Sequence, residues 1–237
     1  MSVIEIVLTV GGSMRKEKVI VSLIMNILIF ILVLLASIIM FTGFRFMDGP
    51  NMVLSASKLA MFRFFTVDSN VFMGIVSLIF IIKDIELLSG KIKEINKKYY
   101  ILKLMSTTAV GLTFFVVFTY LMPISGSVML MLLNSNLFFH LVIPVLSMLT
   151  FILFEGASLD FKESLYGIVP TMIYAVYYVI NIIVHIENGK VAPIYDWYWF
   201  VQGGLWMAFI VVPVILLVSW FISVVLYKLN KVVRSNI

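Results

Sequence analysis

Six long apolar segments limit what this chain can fold into. Of its 237 residues, 62% are hydrophobic and only 12% are charged, about half the charged share of a typical soluble domain. About 20 apolar residues cover the hydrocarbon core of a bilayer, and in lipid a span must satisfy its own backbone, as a helix does. We therefore predict an all-α polytopic membrane protein with six transmembrane helices in one bundle. The predicted spans are Val19–Thr42, a second from about Phe62–Phe64 to Ile82, Tyr100–Met122, a fourth that begins between Val128 and Asn136 and ends at Phe154, Tyr166–Ile186 and Trp199–Tyr227.

The distribution of basic residues predicts the orientation. Six spans put both termini on one side, and with these spans thirteen of the 17 Lys and Arg lie on that side against four on the other. The positive-inside rule then places both termini in the cytoplasm. The domains expected are a cytoplasmic N-terminal segment (1–18), the transmembrane domain (19–227) and a basic cytoplasmic tail (228–237). Within the first of these, Gly11-Gly12-Ser13 is interpreted as a linker or a loop.

The composition excludes several kinds of site. The chain has no cysteine and only two histidines, His140 and His185, so thiol chemistry is excluded and no metal or cofactor is expected. The net charge of +5 is interpreted as topology and attraction to lipid, not as nucleic-acid binding. The basic segment Lys83–Lys98 is either a topology signal or a site for anionic lipid headgroups. Glu155 and Asp160 are expected to be solvated loop charges.

Polar residues cluster where the second span begins. Thr66, Ser69 and Asn70 occupy positions i, i+3 and i+4, so they share one helix face. In membrane bundles such groups often bond back to their own helix or join two helices, and this interpretation stays open beside a functional one. Arg63 is expected at the membrane interface, and Asp68 points away from the Thr66 face.

A second polar group lies in the fourth span. Asn136, His140 and Pro144 are spaced by four and predict one stripe, and because Pro144 has no N–H, the carbonyl of His140 is expected to be free. An ionisable residue inside a span is a functional hypothesis by default. Burial favours the neutral imidazole, which is the form that a general base needs; a neutral histidine bonded to a neighbouring helix is the alternative. The second and fourth spans run in the same direction, so both polar groups are expected at similar depth near the outer face.

Three motifs together resemble the androgen-induced-protein-like family of integral membrane proteins and its bacterial Pr6Pr-type relatives. The order and spacing of the motifs agree over almost the whole chain. They are Phe65-Thr66-Val-Asp-Ser69-Asn70 in span 2, Asn136-x-x-x-His140-x-x-x-Pro144 in span 4, and Pro193-Ile-Tyr195-Asp196-Trp197 before span 6. The chain departs from the animal pattern in the residues after Thr66 and in a longer reach from His140 to Glu155.

The resemblance implies a function. Characterised animal members are threonine hydrolases that cleave fatty-acid esters of hydroxy fatty acids within the membrane. On the matching positions it implies Thr66 as nucleophile and His140 as base, in a bacterial plasma membrane, with a membrane lipid or fatty-acyl substrate. A threonine hydroxyl needs such a base, and the acyl-enzyme would be hydrolysed by water. Ser69, Asn70 and Asn136 are then the candidates for substrate binding and the oxyanion site, and Tyr195, Asp196 and Trp197 for the rim of the pocket. The aromatic residues near the last span are interpreted as an interfacial belt or as part of such a rim; they are Tyr195, Trp197, Tyr198, Trp199 and Trp206.

Two other functions stay open. One is a non-catalytic membrane protein that binds or transports a lipid or small molecule through the same polar pocket. The other is an intramembrane protease of rhomboid type with Ser69 as nucleophile, although the chain lacks the Gly-x-Ser-Gly context. The sequence predicts no particular oligomeric state.

Overall fold

The computed structural model describes residues 3–49, 55–156 and 158–235; the first two and last two residues of the predicted terminal segments lie outside them. The described chain is mostly helical. In chain order the elements are α1 (Val3–Thr42), a 3-10 helix (Lys58–Arg63), α2 (Phe65–Leu88), α3 (Lys97–Val116), a π-segment (Val117–Leu121), α4 (Met122–Ser125), α5 (Val128–Met131), α6 (Ser135–Leu137), a second π-segment (Phe138–Val142), α7 (Ile143–Leu153), a 3-10 helix (Phe161–Ile168), α8 (Val169–Val184), β1 (Ile186–Glu187), β2 (Lys190–Val191), a 3-10 turn (Leu205–Met207) and α9 (Ala208–Ser235).

Five helical segments within the described residues are long and apolar enough to cross a membrane. They correspond to the predicted spans 1, 3, 4, 5 and 6, so the all-α prediction is confirmed. The predicted span 2 coincides with α2, which is not among the five. At 24 residues and 1.5 Å per residue, α2 is about 36 Å long. The five segments are Lys16–Thr42, Lys97–Ser125, Ser135–Leu153, Phe161–Val184 and Leu205–Arg234.

Several predicted boundaries differ from the structure by a few residues, and two differences have a clear structural reason. The last span begins at Leu205 and not at Trp199, because Trp199 has a left-handed backbone (φ +58°) inside a loop. The Asp196 carboxylate stabilises this loop by accepting the backbone N–H groups of Phe200 (2.9 Å) and Val201 (3.2 Å). At the other end of the chain, Gly11-Gly12-Ser13 form no linker or loop, since α1 continues through them.

Two proline residues each follow a π-segment. Pro123 comes two residues after the first and Pro144 two residues after the second. A proline removes one N–H from the helical ladder and its ring crowds the preceding turn, and a wider turn with i→i+5 bonds accommodates both effects. Accordingly Ile143 donates its N–H to the carbonyl of Phe138. Such single-turn π-bulges occur frequently at functional sites.

Helix α3 lies in the middle of the bundle, packed against α2, α7, α8 and α9, while α1 packs along α2. Two glycines permit close approaches between neighbouring helical elements. A Cβ on Gly74 of α2 would lie 2.8 Å from a side-chain carbon of Val33, and a Cβ on Gly167 would lie 2.5 Å from that of Ser223. Helix association in membranes relies on small residues at such crossings.

A group of charged and polar side chains is buried at the end of the bundle where α2 terminates. Lys103 is 0% exposed and Glu155 is 2% exposed, and their charged groups are 3.1 Å apart. The expectation that Glu155 is a solvated loop charge is therefore wrong: the α7 C-terminus turns it inward, where Lys103 and Asn26 bind it. Asp160 does lie on the surface, where it pairs with Lys97. We call Ser22, Asn26, Asp84, Lys103 and Glu155 the buried charge cluster.

Candidate functional site at the start of helix α2

The first turns of α2 contain the predicted Thr66, Ser69 and Asn70. All three are buried, with 5% or less of their surface exposed. The Ser69 hydroxyl donates to the Thr66 carbonyl (3.1 Å) and is 3.0 Å from the hydroxyl of Thr113 on α3. Ser69 thus joins α2 to α3, as expected of a hydroxyl inside a membrane bundle.

Asn70 connects α2 to the π-segment of His140. Its Nδ2 donates one hydrogen to the Thr66 carbonyl (2.7 Å) and the other to the Phe139 carbonyl (3.1 Å). The Phe139 carbonyl needs this donor, because the N–H of Ile143 goes to Phe138 and Pro144 has none. The sequence predicted that Pro144 would free the carbonyl of His140; the wider π-turn also leaves that of Phe139 without its ordinary donors. Both donors of Asn70 are therefore engaged in holding backbone.

The histidine on this segment has a defined tautomer. His140 is wholly buried, and its Nδ1 lies 2.6 Å from the Met131 carbonyl. A carbonyl only accepts hydrogen bonds, so Nδ1 carries the proton and Nε2 presents a lone pair. Among the described residues, Nε2 has no hydrogen-bond partner. This is the arrangement of a base: one nitrogen is fixed by the backbone and the other is available.

Thr66 and His140 are not hydrogen-bonded to each other, since one ring nitrogen binds Met131 and the other has no partner within the described chain.

The π-segment also changes the predicted stripe of Asn136, His140 and Pro144. It begins between Asn136 and His140, so their spacing of four no longer aligns them as in a regular α-helix. Asn136 is wholly buried, and its backbone N–H donates to the Leu133 carbonyl (3.0 Å).

A tyrosine from the loop before the last span, Tyr198, lies at the start of α2 beside Thr66. The Tyr198 hydroxyl accepts the backbone N–H of Phe65 (2.8 Å), and it lies close enough to Thr66 for the backbone and side chain of Thr66 to influence the pKa of the phenol. Burial raises the pKa of Tyr198 to about 12, so the phenol is neutral at physiological pH. Tyr198 therefore caps the first N–H group of α2 and lies beside Thr66.

A second tyrosine continues this set of contacts. The Tyr174 hydroxyl donates to the Arg63 carbonyl (2.5 Å) and accepts the indole N–H of Trp197 (3.0 Å). The Arg63 guanidinium stacks over the ring of Phe64 at 4.8 Å. The start of α2 is thus held from the side by an aromatic cluster contributed by α8 and the loop that follows it.

A cavity opens beside Thr66. It contains about 620 Å³ of empty space, part of it open to the surroundings, between α2, α3, α8, α9 and the loop before α9. Its walls are aliphatic and aromatic, and the polar atoms that they offer are mostly hydroxyls. Of the residues predicted for the site, Thr66 lines this cavity; His140 does not. The lining residues are Phe65, Thr66, Leu112, Thr113, Val116, Val117, Leu121, Thr171, Tyr174, Ala175, Tyr178, Tyr198, Phe200, Val212 and Ile215.

The three residues predicted for the rim do not line the cavity. Asp196 and Trp197 instead hold residues that do, because Asp196 accepts the Tyr178 hydroxyl and Trp197 donates to Tyr174. Tyr195 stacks on the His185 ring with centroids 3.6 Å apart. The sequence prediction thus identified the correct loop, but the residues that face the cavity are the neighbouring Tyr198 and Phe200.

Sequence reasoning missed Tyr174 and Asn134, and it assigned Tyr198 to an interfacial belt or a pocket rim without predicting its place beside Thr66. The Asn134 side chain accepts the N–H groups of Phe46 and Met47 (2.7 and 2.8 Å) and so closes the loop after α1 over the α6 end of the site. Nothing in the local pattern distinguishes these tyrosines from an interfacial belt. Their concentration before a span was the available signal.

No family model matches the chain, and neither a curated protein nor a solved structure matches it. The family resemblance of the three motifs therefore stays a prediction. Three features bear on function: the cavity, Thr66 on its wall, and His140, whose π-segment is joined to α2 by Asn70.

Proposed function

We propose that this chain is an intramembrane hydrolase of lipid esters, of the fatty-acid ester of hydroxy fatty acid type, with Thr66 as nucleophile and His140 as general base. The observation that carries the proposal is that Thr66 lines a cavity whose walls are otherwise largely aliphatic and aromatic. An acyl chain fits such walls, and its ester group would then lie where the hydroxyls are. The same resemblance to the androgen-induced-protein-like family supports the assignment.

The reaction has two steps. His140 Nε2 takes the hydroxyl proton of Thr66 while the oxygen attacks the ester carbonyl, and the proton then passes to the leaving alcohol as the acyl-threonine forms. In the second step His140 takes a proton from water, the hydroxide attacks the acyl-threonine, and the fatty acid leaves as Thr66 regains its proton. The Nδ1–H tautomer fixed by Met131 presents the nitrogen that this step requires. The contact between Nε2 and Thr66 must form when substrate binds, since catalytic hydrogen bonds often tighten only in the complex.

The negative charge that develops on the ester oxygen needs donors. The predicted Ser69, Asn70 and Asn136 remain candidates, but Asn70 has both hydrogens bound to carbonyls. Tyr198 is an additional candidate, because its neutral hydroxyl already lies at the Thr66 side chain. We therefore expect Tyr198→Phe to slow acylation of Thr66 in a folded protein.

The proposal includes a membrane topology. Helix α2 serves as the sixth span beside the five segments described above, which places both termini on one side. Lys103 is buried in the charge cluster and so is no loop charge, but the excess of basic residues on the side of the termini is maintained without it. This orientation, with the termini in the cytoplasm, places Thr66 towards the outer leaflet of a bacterial plasma membrane. The basic segment Lys83–Lys98 would then meet anionic headgroups on the inner side.

Labelling with a fluorophosphonate probe tests the nucleophile. We expect the purified protein to be labelled, Thr66→Ala to abolish labelling and Thr66→Ser to retain it. Thr171→Ala is the matched control, because Thr171 also lines the cavity and its hydroxyl binds Ser219. Labelling that persists in Thr66→Ala would reject Thr66 as the nucleophile.

The two histidines provide a matched pair for the base. We expect His140→Gln to abolish hydrolysis of a fatty-acyl ester and leave lipid binding intact. His185→Gln should retain hydrolysis, since His185 bonds to Asn181 and stacks on Tyr195. Equal activities of the two variants would exclude His140 as the base.

A non-catalytic lipid-binding or transport protein is the second candidate. The observation that favours it is that His140 neither lines the cavity nor bonds Thr66. In that case a fluorescent fatty acid would bind with equal affinity to the wild type and Thr66→Ala, and no ester would be hydrolysed by either.

A further inference from the structure

The buried charge cluster lies far from the cavity and takes no part in the proposed reaction. Asp84 follows Thr66 by 18 positions on α2, which corresponds to about 27 Å along the helix axis. Its members come from several elements: Ser22 and Asn26 from α1, Asp84 from α2, Lys103 from α3, and Glu155 from the turn after α7. All five are between 0% and 2% exposed.

The ammonium group of Lys103 has a full set of partners. It pairs with Glu155 Oε1 at 3.1 Å, donates to Asn26 Oδ1, and lies 5.0 Å from the centroid of the Phe80 ring. Asn26 in turn donates to Glu155 Oε1 (2.7 Å). One carboxylate thus balances the one ammonium of the cluster.

The second carboxyl group has no such balance. Asp84 accepts the Ser22 hydroxyl (2.9 Å), and in the described chain it makes no ion pair. In the ion pair of Lys103 and Glu155, the second carboxylate oxygen, Glu155 Oε2, is buried and has no hydrogen-bond partner among the described residues. If all three groups were ionised, the cluster would carry one net negative charge in a region that excludes water. An unpaired buried charge costs several kcal/mol, so a further positive charge is required.

Among the side chains that the structure describes, the elements around the cluster do not provide that charge. From α9, the side chain directed at Glu155 is the neutral Asn230, which donates to the carbonyls of Phe151 and Glu155. On α2, Lys83 pairs with Glu86 at the surface. On α1, Lys18 lies one turn before Ser22 and is partly exposed. Arg234 of α9 is exposed, and the atoms that it places nearest to a Cβ built on Gly156 are aliphatic carbons (3.7 and 3.9 Å). Asp84 interacts electrostatically with Glu155 and Lys103.

We propose that the buried charge cluster is a proton-binding site, in which Asp84 holds one proton at neutral pH while Lys103 and Glu155 form an ion pair. The proton comes from solvent and forms the O–H bond of a neutral carboxyl group; no other bond changes. The net charge of the cluster is then zero. This proposal does not depend on the hydrolase function.

Infrared spectroscopy of the full chain in lipid nanodiscs tests the proposal, because a protonated carboxyl group has a C=O stretching band that a carboxylate lacks. Aspartate labelled with ¹³C at the side-chain carboxyl shifts the band and assigns it. At neutral pH we expect the wild type to have a labelled carboxylic-acid band that Asp84→Asn reduces by one group per chain. Asp160→Asn is the matched control, since Asp160 is an exposed carboxylate paired with Lys97, and it should leave the band unchanged.

Two further variants must change the band in opposite directions. In Glu155→Gln, Lys103 loses its partner, so Asp84 should give up its proton and the labelled carboxylic-acid band should decrease by one group per chain. In Lys103→Met, Glu155 loses its cation, so a second carboxylic-acid band, from glutamate, should appear. A structural role alone would change stability and would not produce these opposite changes in protonation.

The proposal is overturned if Asp84→Asn removes no carboxylic-acid intensity, because Asp84 would then be ionised. A monovalent cation would in that case be the balancing charge. It would be recognised by a rise of the wild-type melting temperature with added Na⁺ or K⁺ that Asp84→Asn lacks.

Discussion

The contact between Asn70 and the π-segment allows a quantitative prediction. Asn70→Leu keeps a side chain of similar volume and removes both donated hydrogen bonds. The Thr66 carbonyl keeps the Ser69 hydroxyl as a donor. The Phe139 carbonyl is left buried without a donor, since Pro144 has no N–H to offer.

The expected loss of stability in Asn70→Leu comes from the Phe139 carbonyl, because only this carbonyl is left without a donor. Leaving a buried backbone group without a partner costs about 1–3 kcal/mol, whereas an average hydrogen bond between membrane helices contributes about 0.6 kcal/mol. Ser69→Ala is the matched control, because it removes a helix–helix bond one residue away. Its partner Thr113 retains a bond to the Ala109 carbonyl (3.4 Å). We expect Asn70→Leu to lower the free energy of unfolding by about 1–3 kcal/mol and Ser69→Ala by about 0.6 kcal/mol.

The measurement is unfolding of the purified protein in mixed micelles, followed by circular dichroism as the denaturing detergent increases. A second measurement is the rate of ester hydrolysis, which should fall in Asn70→Leu because the same bond holds the segment that contains His140. If Asn70→Leu costs no more than Ser69→Ala, the Phe139 carbonyl does not depend on Asn70 and the reasoning about the π-turn is refuted.

Two further predictions concern packing and surface charge. Gly167→Ala should lower the free energy of unfolding by about 1–3 kcal/mol, because its Cβ would lie 2.5 Å from that of Ser223, while Gly156→Ala, with its closest contact at 3.7 Å, should leave it unchanged; equal melting temperatures would contradict this. The Lys97 ammonium holds the pKa of the exposed Asp160 below its usual range, so the pair stabilises the fold above the unfolded pKa of about 3.9 and loses this effect as pH falls through the lower, folded value. Asp160→Asn should therefore be less stable than the wild type near neutral pH and equally stable in strong acid; a difference that grows on acidification would contradict the assignment.

The spans were predictable from the sequence because their signal is local. An apolar run of about 20 residues has few alternatives to a membrane helix, and the structure ends α1 at Thr42 as predicted. The start of the last span was placed too early because Trp199 and its neighbours are as apolar as a span. Only the contact of Asp196 with Phe200 and Val201 shows that they form a folded loop.

The candidate site was predictable in part. Polar residues in an apolar helix are conspicuous, so Thr66, Ser69 and Asn70 could be identified from their spacing. The partner of Thr66 could not, because Tyr198 lies 132 positions later and resembles any interfacial aromatic residue. The π-turn was equally hidden: proline predicts that a bond is lost, but the choice between a kink and a wider turn depends on the donor that Asn70 supplies from another helix.

The buried charge cluster was missed for a related reason. Lys103 and Glu155 are 52 positions apart, and each lies near the end of an apolar run, where a charge ordinarily meets water or headgroups. Their burial is decided by the packing of α1 against α7 and of α9 against α3 and α7. Two charges that pair across 52 positions of sequence leave no periodic pattern from which the pair could be recognised.

The hydrogen bond from the Phe65 N–H to Tyr198 has a consequence for biosynthesis. Its two residues are separated by 133 positions, so α2 is synthesised and inserted long before the acceptor for its first N–H group emerges from the ribosome. Until the loop before α9 is in place, the helix end beside Thr66 must be hydrated or bound by the insertion machinery. A nascent chain arrested after α8 should therefore have its six-residue 3-10 helix and the start of α2 accessible to protease, and release of the full-length chain should protect both.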